Sequence, residues 1–178
     1  MVLEWRIDMK NETIKWKITL FSFFMVLPLV FIDQITKYFA RVKLADGPCE
    51  LIPGVFSFTY LENAGSVWGI MQGKTIFLII ISLIMLAALV FFLYKLPLTK
   101  RFMPLRIVLI FLTAGAIGNL IDRISTGVVT DFFYFELIDF PIFNVADIYI
   151  TVSEIVLILL ILFYYKDEDF QWKKSNLK

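Results

Sequence analysis

An all-α membrane protein is the fold class this sequence predicts: a four-transmembrane-helix bundle carrying a small extracytoplasmic β-sheet or hairpin cradle. Three observations predict it. Hydrophobic residues make up 60% of the 178 and charged residues 19%, well away from the roughly 45 to 50% and 25% of a soluble globular domain. Four nearly charge-free apolar runs each reach about 20 residues, enough at about 1.5 Å per residue to cross a hydrocarbon core of about 30 Å. Lysine and arginine, finally, gather beside alternate connections between those runs.

The spans fall at 18–39, 75–94, 105–123 and 144–165, within one integral membrane domain covering 1–178, with tails at 1–17 and 166–178. The first resembles a cleaved leader only superficially. Its apolar run is too long, and it leads into Asp33-Gln34-Ile35-Thr36-Lys37 instead of a small-x-small cleavage site. Cys49 follows the turn-forming Asp46-Gly47-Pro48 and is read as incidental. In the first connection Leu51-Ile52, a Pro53-Gly54 turn and the alternating run 55–61 predict a β-hairpin, with a short helix expected over 67–72. In the third connection the β-branched and aromatic run 128–135 predicts another strand.

Arg6, Lys10, Lys15 and Lys17 precede the first span, Lys95, Lys100, Arg101 and Arg106 surround the second connection, and Lys166, Lys173, Lys174 and Lys178 follow the fourth. The first connection has only Arg41, Lys43 and Lys74, and the third has no basic residue after Arg123. Both termini are therefore expected in the cytoplasm, with the hairpin and the strand outside.

The chain has no histidine, which removes the commonest general base and metal ligand, and its single cysteine excludes an internal disulfide. No basic patch with interleaved aromatics points to nucleic acid. Neither a cofactor nor a metal is expected.

Charged groups within spans are costly, so each needs a reason. Asp33 lies in the outer third of the first span. Asn119, Asp122 and Arg123 end the third, Asp131 lies just beyond, and Asn144 and Asp147 begin the fourth. Asp33 with Lys37 at i, i+4 reads as a structural pair, and Arg123 as paired with Asp122 or Asn119, or else as orienting a substrate backbone. Asp131 and Asp147 have no basic neighbour within a helical turn. Two such carboxylates in one partly desolvated site would hold one proton and one charge, the equipment of an aspartic protease. From the residues alone, capping of the fourth span by Asn144 or Asp147 stands beside that reading. The serines Ser66, Ser82, Ser125 and Ser153 lack a partner base. Ala114, Gly115 and Gly118 form a face suited to close helix packing. Glu154, seven residues beyond Asp147 and about 10 Å deeper, has no role that the sequence supplies.

Five blocks in order carry a resemblance: Asp33-Gln34-Ile35-Thr36-Lys37, Asn63-Ala64-Gly65, Gly118-Asn119-Leu120-Ile121-Asp122-Arg123, Val129-Thr130-Asp131-Phe132 and Phe143-Asn144-Val145-Ala146-Asp147. Together they resemble lipoprotein signal peptidase, or signal peptidase II, over 31–150. The resemblance implies a monomeric aspartic endopeptidase of the bacterial cytoplasmic membrane. It would cut diacylglyceryl-modified prolipoproteins just before the lipid-bearing cysteine, toward the outer face. It assigns Asp131 and Asp147 as the catalytic dyad, Asn63, Gly65, Asn119, Arg123 and Asn144 as residues lining the site, and Asp33, Lys37 and Asp122 as its support. It also casts the hairpin as a substrate cradle, with Phe132, Phe133 and Trp68 suited to lipid, to the substrate's apolar segment or to interfacial anchoring.

The chain departs from the family pattern at Ser66 and Val67, which are bulkier than usual, and at Thr130, whose hydroxyl is placed to bond the neighbouring carboxylate. Three rival functions have weaker support. A proton or ion carrier would relay through Asp33, Asp147 and Glu154, yet the acids cluster at one face. A Mg²⁺ enzyme acting on lipid would want a close Asp-x-x-Asp pair, and none is present. A scaffold would leave the unpaired carboxylates unexplained.

Overall fold

The computed structural model describes residues 2–65 and 71–173, with side chains described for 16–65 and 71–170. Helix α1 (Val2–Lys43) leads to strands β1 (Cys49–Ile52) and β2 (Phe56–Asn63), and α2 (Thr75–Lys95) follows. A 3₁₀ turn, Lys100–Phe102, opens α3 (Met103–Ser125), after which β3 (Val129–Tyr134) precedes α4 (Val145–Leu159). A π-helical turn, Leu160–Tyr164, prolongs α4, and a 3₁₀ segment, Asp167–Lys173, ends the described chain. Among the described residues, four stretches are long and apolar enough to cross a membrane: Trp16–Lys43, Thr75–Lys95, Lys100–Ser125 and Val145–Tyr164. The first runs a turn beyond its expected end because Ala40 and Leu44 pack against Phe132 of β3.

Helix α3 is the axis. Some 56% of its span is buried against 6% for α2, so α2 presents nearly its whole circumference outward. Close approach to α3 depends on glycine. A Cβ at Gly115 would lie 2.6 Å from the Ala146 carbonyl oxygen and 2.7 Å from Ile150 Cγ1, and one at Gly118 would collide with the Asp33 carboxylate. Two glycines on α3 thus let both α1 and α4 press against it, as the small-residue face predicts.

The sheet has the order β1-β2-β3, all antiparallel. Hairpin β1–β2 turns at Pro53-Gly54, where Gly54 has φ 67°, a conformation glycine adopts without Cβ strain. Register pairs Phe58 with Phe133, then shifts before Leu61 meets Asp131. Every residue of β3 from Val129 to Phe132 is buried, because helix ends cover the face that an edge hairpin would leave open. Phe132 is accordingly 5% exposed, packed with Ala40 and Leu44. Contrary to the sequence reading, it is not placed to touch lipid or substrate. Of the helix expected over 67–72, residues 66–70 lie outside the described residues, as do Ser66, Val67 and Trp68, while 71–73 form a turn. The Gly73 N–H donates to the Ala64 carbonyl at 3.2 Å, so the ends of this loop meet.

At the opposite end, Leu93, Leu96, Phe102, Leu109 and Tyr165 make a small core. Arg106, counted in the sequence as one of the flanking charges, is buried there and donates to the Leu93 and Leu96 carbonyls at 3.4 and 3.2 Å. It satisfies acceptors that the end of α2 leaves open. Arg101 pairs with Asp169 at 2.8 Å and donates to the Tyr164 carbonyl, fastening the tail to the start of α3.

Candidate active site

The sheet-bearing ends of α1, α3 and α4 converge on β3 and the end of β2, and there the polar residues meet. Asp131 on β3 and Asp147 in the first turn of α4 are joined through Asn144. The Asn144 side-chain amide donates to Asp131 Oδ1 at 2.6 Å, and its backbone N–H donates to Asp147 Oδ2 at 3.1 Å. The remaining oxygens are filled by two other amides, Asn63 Nδ2 to Asp131 Oδ2 at 2.9 Å and Asn119 Nδ2 to Asp147 Oδ1 at 2.8 Å.

An amide can flip, so its orientation needs a cause. Each of these three has one. Asn63 Oδ1 accepts the Gly65 N–H at 2.9 Å, Asn144 Oδ1 accepts the Asp147 N–H at 3.0 Å, and Asn119 Oδ1 accepts Lys37 Nζ at 2.9 Å and Asn144 Nδ2 at 3.2 Å. With every amide oxygen occupied by a donor, every NH₂ is turned onto a carboxylate. Asn144 and Asp147 at the same time form a reciprocal capping box at the start of α4.

Beneath this layer lies its anchor. Lys37 is fully buried and reaches Asp33 Oδ2 at 2.9 Å and Asp122 Oδ2 at 3.1 Å as well as Asn119. Asp33 Oδ1 also accepts the Ala146 N–H at 2.9 Å, and Asp122 Oδ2 accepts the Thr130 N–H at 3.1 Å. One buried cation therefore ties α1 to α3, α4 and β3. Thr130 joins through its backbone, not through the hydroxyl that the sequence reading favoured for a bond to Asp131. Gln34, to which the sequence reading assigned no role, sits over the same pair, its Nε2 within 3.1 Å of Asp33 Oδ2, 3.1 Å of the Gly118 carbonyl and 3.2 Å of Asp122 Oδ1. Its position beside a buried Asp was the available signal.

Arg123 departs from expectation. Adjacent residues on a helix point about 100° apart, so Asp122 turns inward to Lys37 while Arg123 turns toward the loop, donating to the Gly65 carbonyl at 3.1 Å. Among the described residues no carboxylate lies within ion-pair distance of it. Asp33 is bound within the Lys37 cluster, and no hydrogen bond or ion pair connects Glu154 to either Asp33 or Asp147, so the relay of the carrier reading is not assembled. No three or more acidic or cysteine side chains gather to hold a metal ion among the described residues.

Burial and the nearby charge of Asp147 together raise the Asp131 pKa to about 7, against the opposing amides of Asn63 and Asn144 and the field of Lys37. At neutral pH this carboxyl holds its proton about half the time. Asp147 sits where the positive end of the α4 dipole favours an anion. Two carboxyls in one partly desolvated site favour holding one proton and one charge between them.

The sequence matches the family described as Signal peptidase (SPase) II over residues 25–163. The chain belongs to the signal peptidase II family. It is 40% identical over 137 residues to "Lipoprotein signal peptidase" of Clostridium novyi (strain NT), covering 75% of this chain and 91% of that one. It is 42% identical over 144 residues to the protein of that name from Staphylococcus aureus (strain JH9), covering 79% and 87%. Among solved structures, one described as a bacterial membrane enzyme structure by the in meso method at 2.3 Å superposes with a TM-score of 0.71 at 36% identity, covering 88% of this chain and 91% of that one. A second, at 1.9 Å, gives 0.66 at 36% identity, covering 81% and 94%. The matched region contains all of the residues of the polar cluster. Like its family, the chain is an aspartic peptidase, and its four apolar helices make it a multi-pass membrane protein.

Proposed function

We propose that the protein cleaves the signal peptide from diacylglyceryl-modified prolipoproteins just before the lipid-bearing cysteine, with Asp131 and Asp147 activating the attacking water. The observation that carries this is the bridging of the two carboxylates by Asn144, whose NH₂ reaches Asp131 and whose backbone N–H reaches Asp147. Asp147 takes a proton from water as the oxygen attacks the scissile carbonyl carbon, while Asp131 gives its proton to the carbonyl oxygen. When the C–N bond breaks, the leaving amine takes the proton from Asp147, and the new carboxyl returns one to Asp131. Asn63, Asn119 and Asn144 fix the carboxylates, and Lys37, Asp33 and Asp122 support them. Arg123, with one donor on Gly65, has others to meet the substrate backbone.

The chain works as a monomer in a single domain, in the bacterial cytoplasmic membrane with both termini in the cytoplasm and the sheet outside. It uses no cofactor. The test is cleavage of a diacylglyceryl-modified precursor by purified protein. Asp131→Asn and Asp147→Asn should each abolish turnover without loss of fold, and the double variant should be scarcely worse than either, since the pair acts as a unit. Near-normal turnover by either single variant, or EDTA inhibition relieved by Mg²⁺, would refute the dyad.

A further inference from the structure

Among the carboxyls of the four described spans, Glu154 is the one that the site does not absorb. It is the tenth of the 20 residues in the span Val145–Tyr164, which at about 1.5 Å per residue puts it near mid-membrane. Its side chain is exposed, and no hydrogen bond or ion pair reaches it among the described residues. Ionisable groups at that depth face protein or a water-filled cavity almost without exception. An exposed one implies an occupant that the isolated chain lacks.

The position of Glu154 on α4 says which. The packing face of α4 runs through Ala146, Ile150 and Ser153: the Ala146 N–H bonds to Asp33 of α1, and Ala146 and Ile150 abut Gly115 of α3. About 100° further round, at i, i+4, i+7 and i+11, lie Asp147, Thr151, Glu154 and Ile158. Asp147 is half-buried and the other three are exposed, so an uncovered flank descends into the membrane directly from the dyad. Helix α2 packs on α3 and meets the chain beyond α4 through the cluster of Leu93, Leu96, Phe102 and Tyr165 at the far end. A peptide cut at Asp147 and embedded in the bilayer has its apolar segment on this flank.

We infer that Glu154 is a specificity-determining contact for the substrate. The apolar segment of the signal peptide lies along Asp147, Thr151, Glu154 and Ile158, and the Glu154 carboxyl hydrogen-bonds a serine or threonine hydroxyl within it. Glu154 is about 10 Å below the dyad, a distance that three extended or seven helical residues would span. The hydroxyl therefore belongs three to seven residues before the scissile bond. This inference rests on the placement of the dyad proposed above.

The test uses the full-length protein in lipid nanodiscs with diacylglyceryl-modified precursors of uniformly apolar signal segment, into which one serine is walked from the third to the seventh residue before the cysteine. With the wild type, one or two registers should show a KM about three- to tenfold below that of the serine-free precursor, the value of one interhelical hydrogen bond in a membrane. Glu154→Leu should raise KM at those registers to the serine-free value, and Glu154→Gln, which keeps the hydrogen bond, should retain most of the preference. A flat series in the wild type, or the same preference in Glu154→Leu, overturns the inference. A photocrosslinking side chain placed at 154 should capture the precursor. Capture of a second copy of the chain, or of lipid alone, would also overturn it. Failure of the dyad is read separately, as retained turnover in Asp147→Asn.

Discussion

Replacing Lys37 with methionine preserves the stem and removes the one cation at the centre of the site. Asp33, Asp122 and Asn119 lose contacts of 2.9, 3.1 and 2.9 Å, and two carboxylates remain in positions 0 and 1% exposed. Removing one partner of a buried ion pair costs about 3 to 5 kcal/mol, because the opposite charge stays buried and unpaired. Two acceptors share the loss, and the Ala146 and Thr130 N–H groups still serve one each, so the same range is expected here. For a chain of this size each kcal/mol moves Tm by about 2 to 4 °C, placing the fall at roughly 6 to 20 °C. Thermal unfolding of purified protein in detergent measures it. Adding Asp122→Asn to Lys37→Met should recover part of the loss by removing one stranded charge. Turnover should fall further than stability requires, since only the Asn144 NH₂ then keeps the Asn119 amide turned toward Asp147. A Tm change below about 2 °C, or full turnover at temperatures where the variant is folded, would refute the role assigned to this lysine.

The raised pKa of Asp131 gives two pH dependences. Its protonated form is needed for catalysis, so kcat/KM should fall tenfold per pH unit above about 7. A folded pKa above the unfolded value also means that the native state binds the extra proton, so stability is full below about 4 and declines as pH rises through about 7. Tm measured from pH 5 to 8 should fall, and Asp131→Asn should flatten that slope. Gly118→Ala drives a methyl into the Asp33 carboxylate and should lower stability by about 1 to 3 kcal/mol, read by the same thermal assay. Cys49 is exposed on the sheet; a membrane-impermeant thiol reagent should label it in intact cells, and labelling only after lysis would reverse the proposed topology.

The existence of four spans and of three strands was legible in the sequence because it depends on run length and on alternation, both local properties. The direction in which a residue points was not. In a soluble helix the apolar stripe marks the inside, but a helix in lipid is apolar all round, so nothing in the order of residues distinguished the outward face of α2 from the inward face of α3. Arg106 read as one of a flanking group of charges and turned out to be buried, capping α2. Phe132 read as available to lipid and is covered by Ala40 and Leu44. The i, i+4 pairing of Asp33 with Lys37 was visible, whereas the third corner at Asp122, 85 residues away, depends on how α1 meets α3. Gly115 and Gly118 gave the one hint of that packing.

Capping and catalysis compete as explanations of Asn144 and Asp147 only while each is considered as a separate residue. In the folded chain the cap and the site use the same bonds. The Asn144 oxygen accepts the Asp147 N–H and so directs the Asn144 NH₂ to Asp131, while the Asp147 carboxylate accepts the Asn144 N–H and so is held at the start of α4. A helix start is a rigid support with unpaired N–H groups and a positive dipole end, which is what an ionised carboxylate in a membrane requires. The cap therefore fixes the position of the proposed base. It follows that Asn144→Ala should harm catalysis far more than the roughly 1 kcal/mol expected of a lost N-cap, since it takes an NH₂ donor from Asp131 and, at the same time, from the Asn119 oxygen whose amide holds Asp147. Asn144→Asp should be no rescue, because it keeps the cap acceptor but sets a third carboxylate against Asp131 where an N–H donor stood. If Asn144→Asp turned over normally, the bridge between the two aspartates would not be what organises this site.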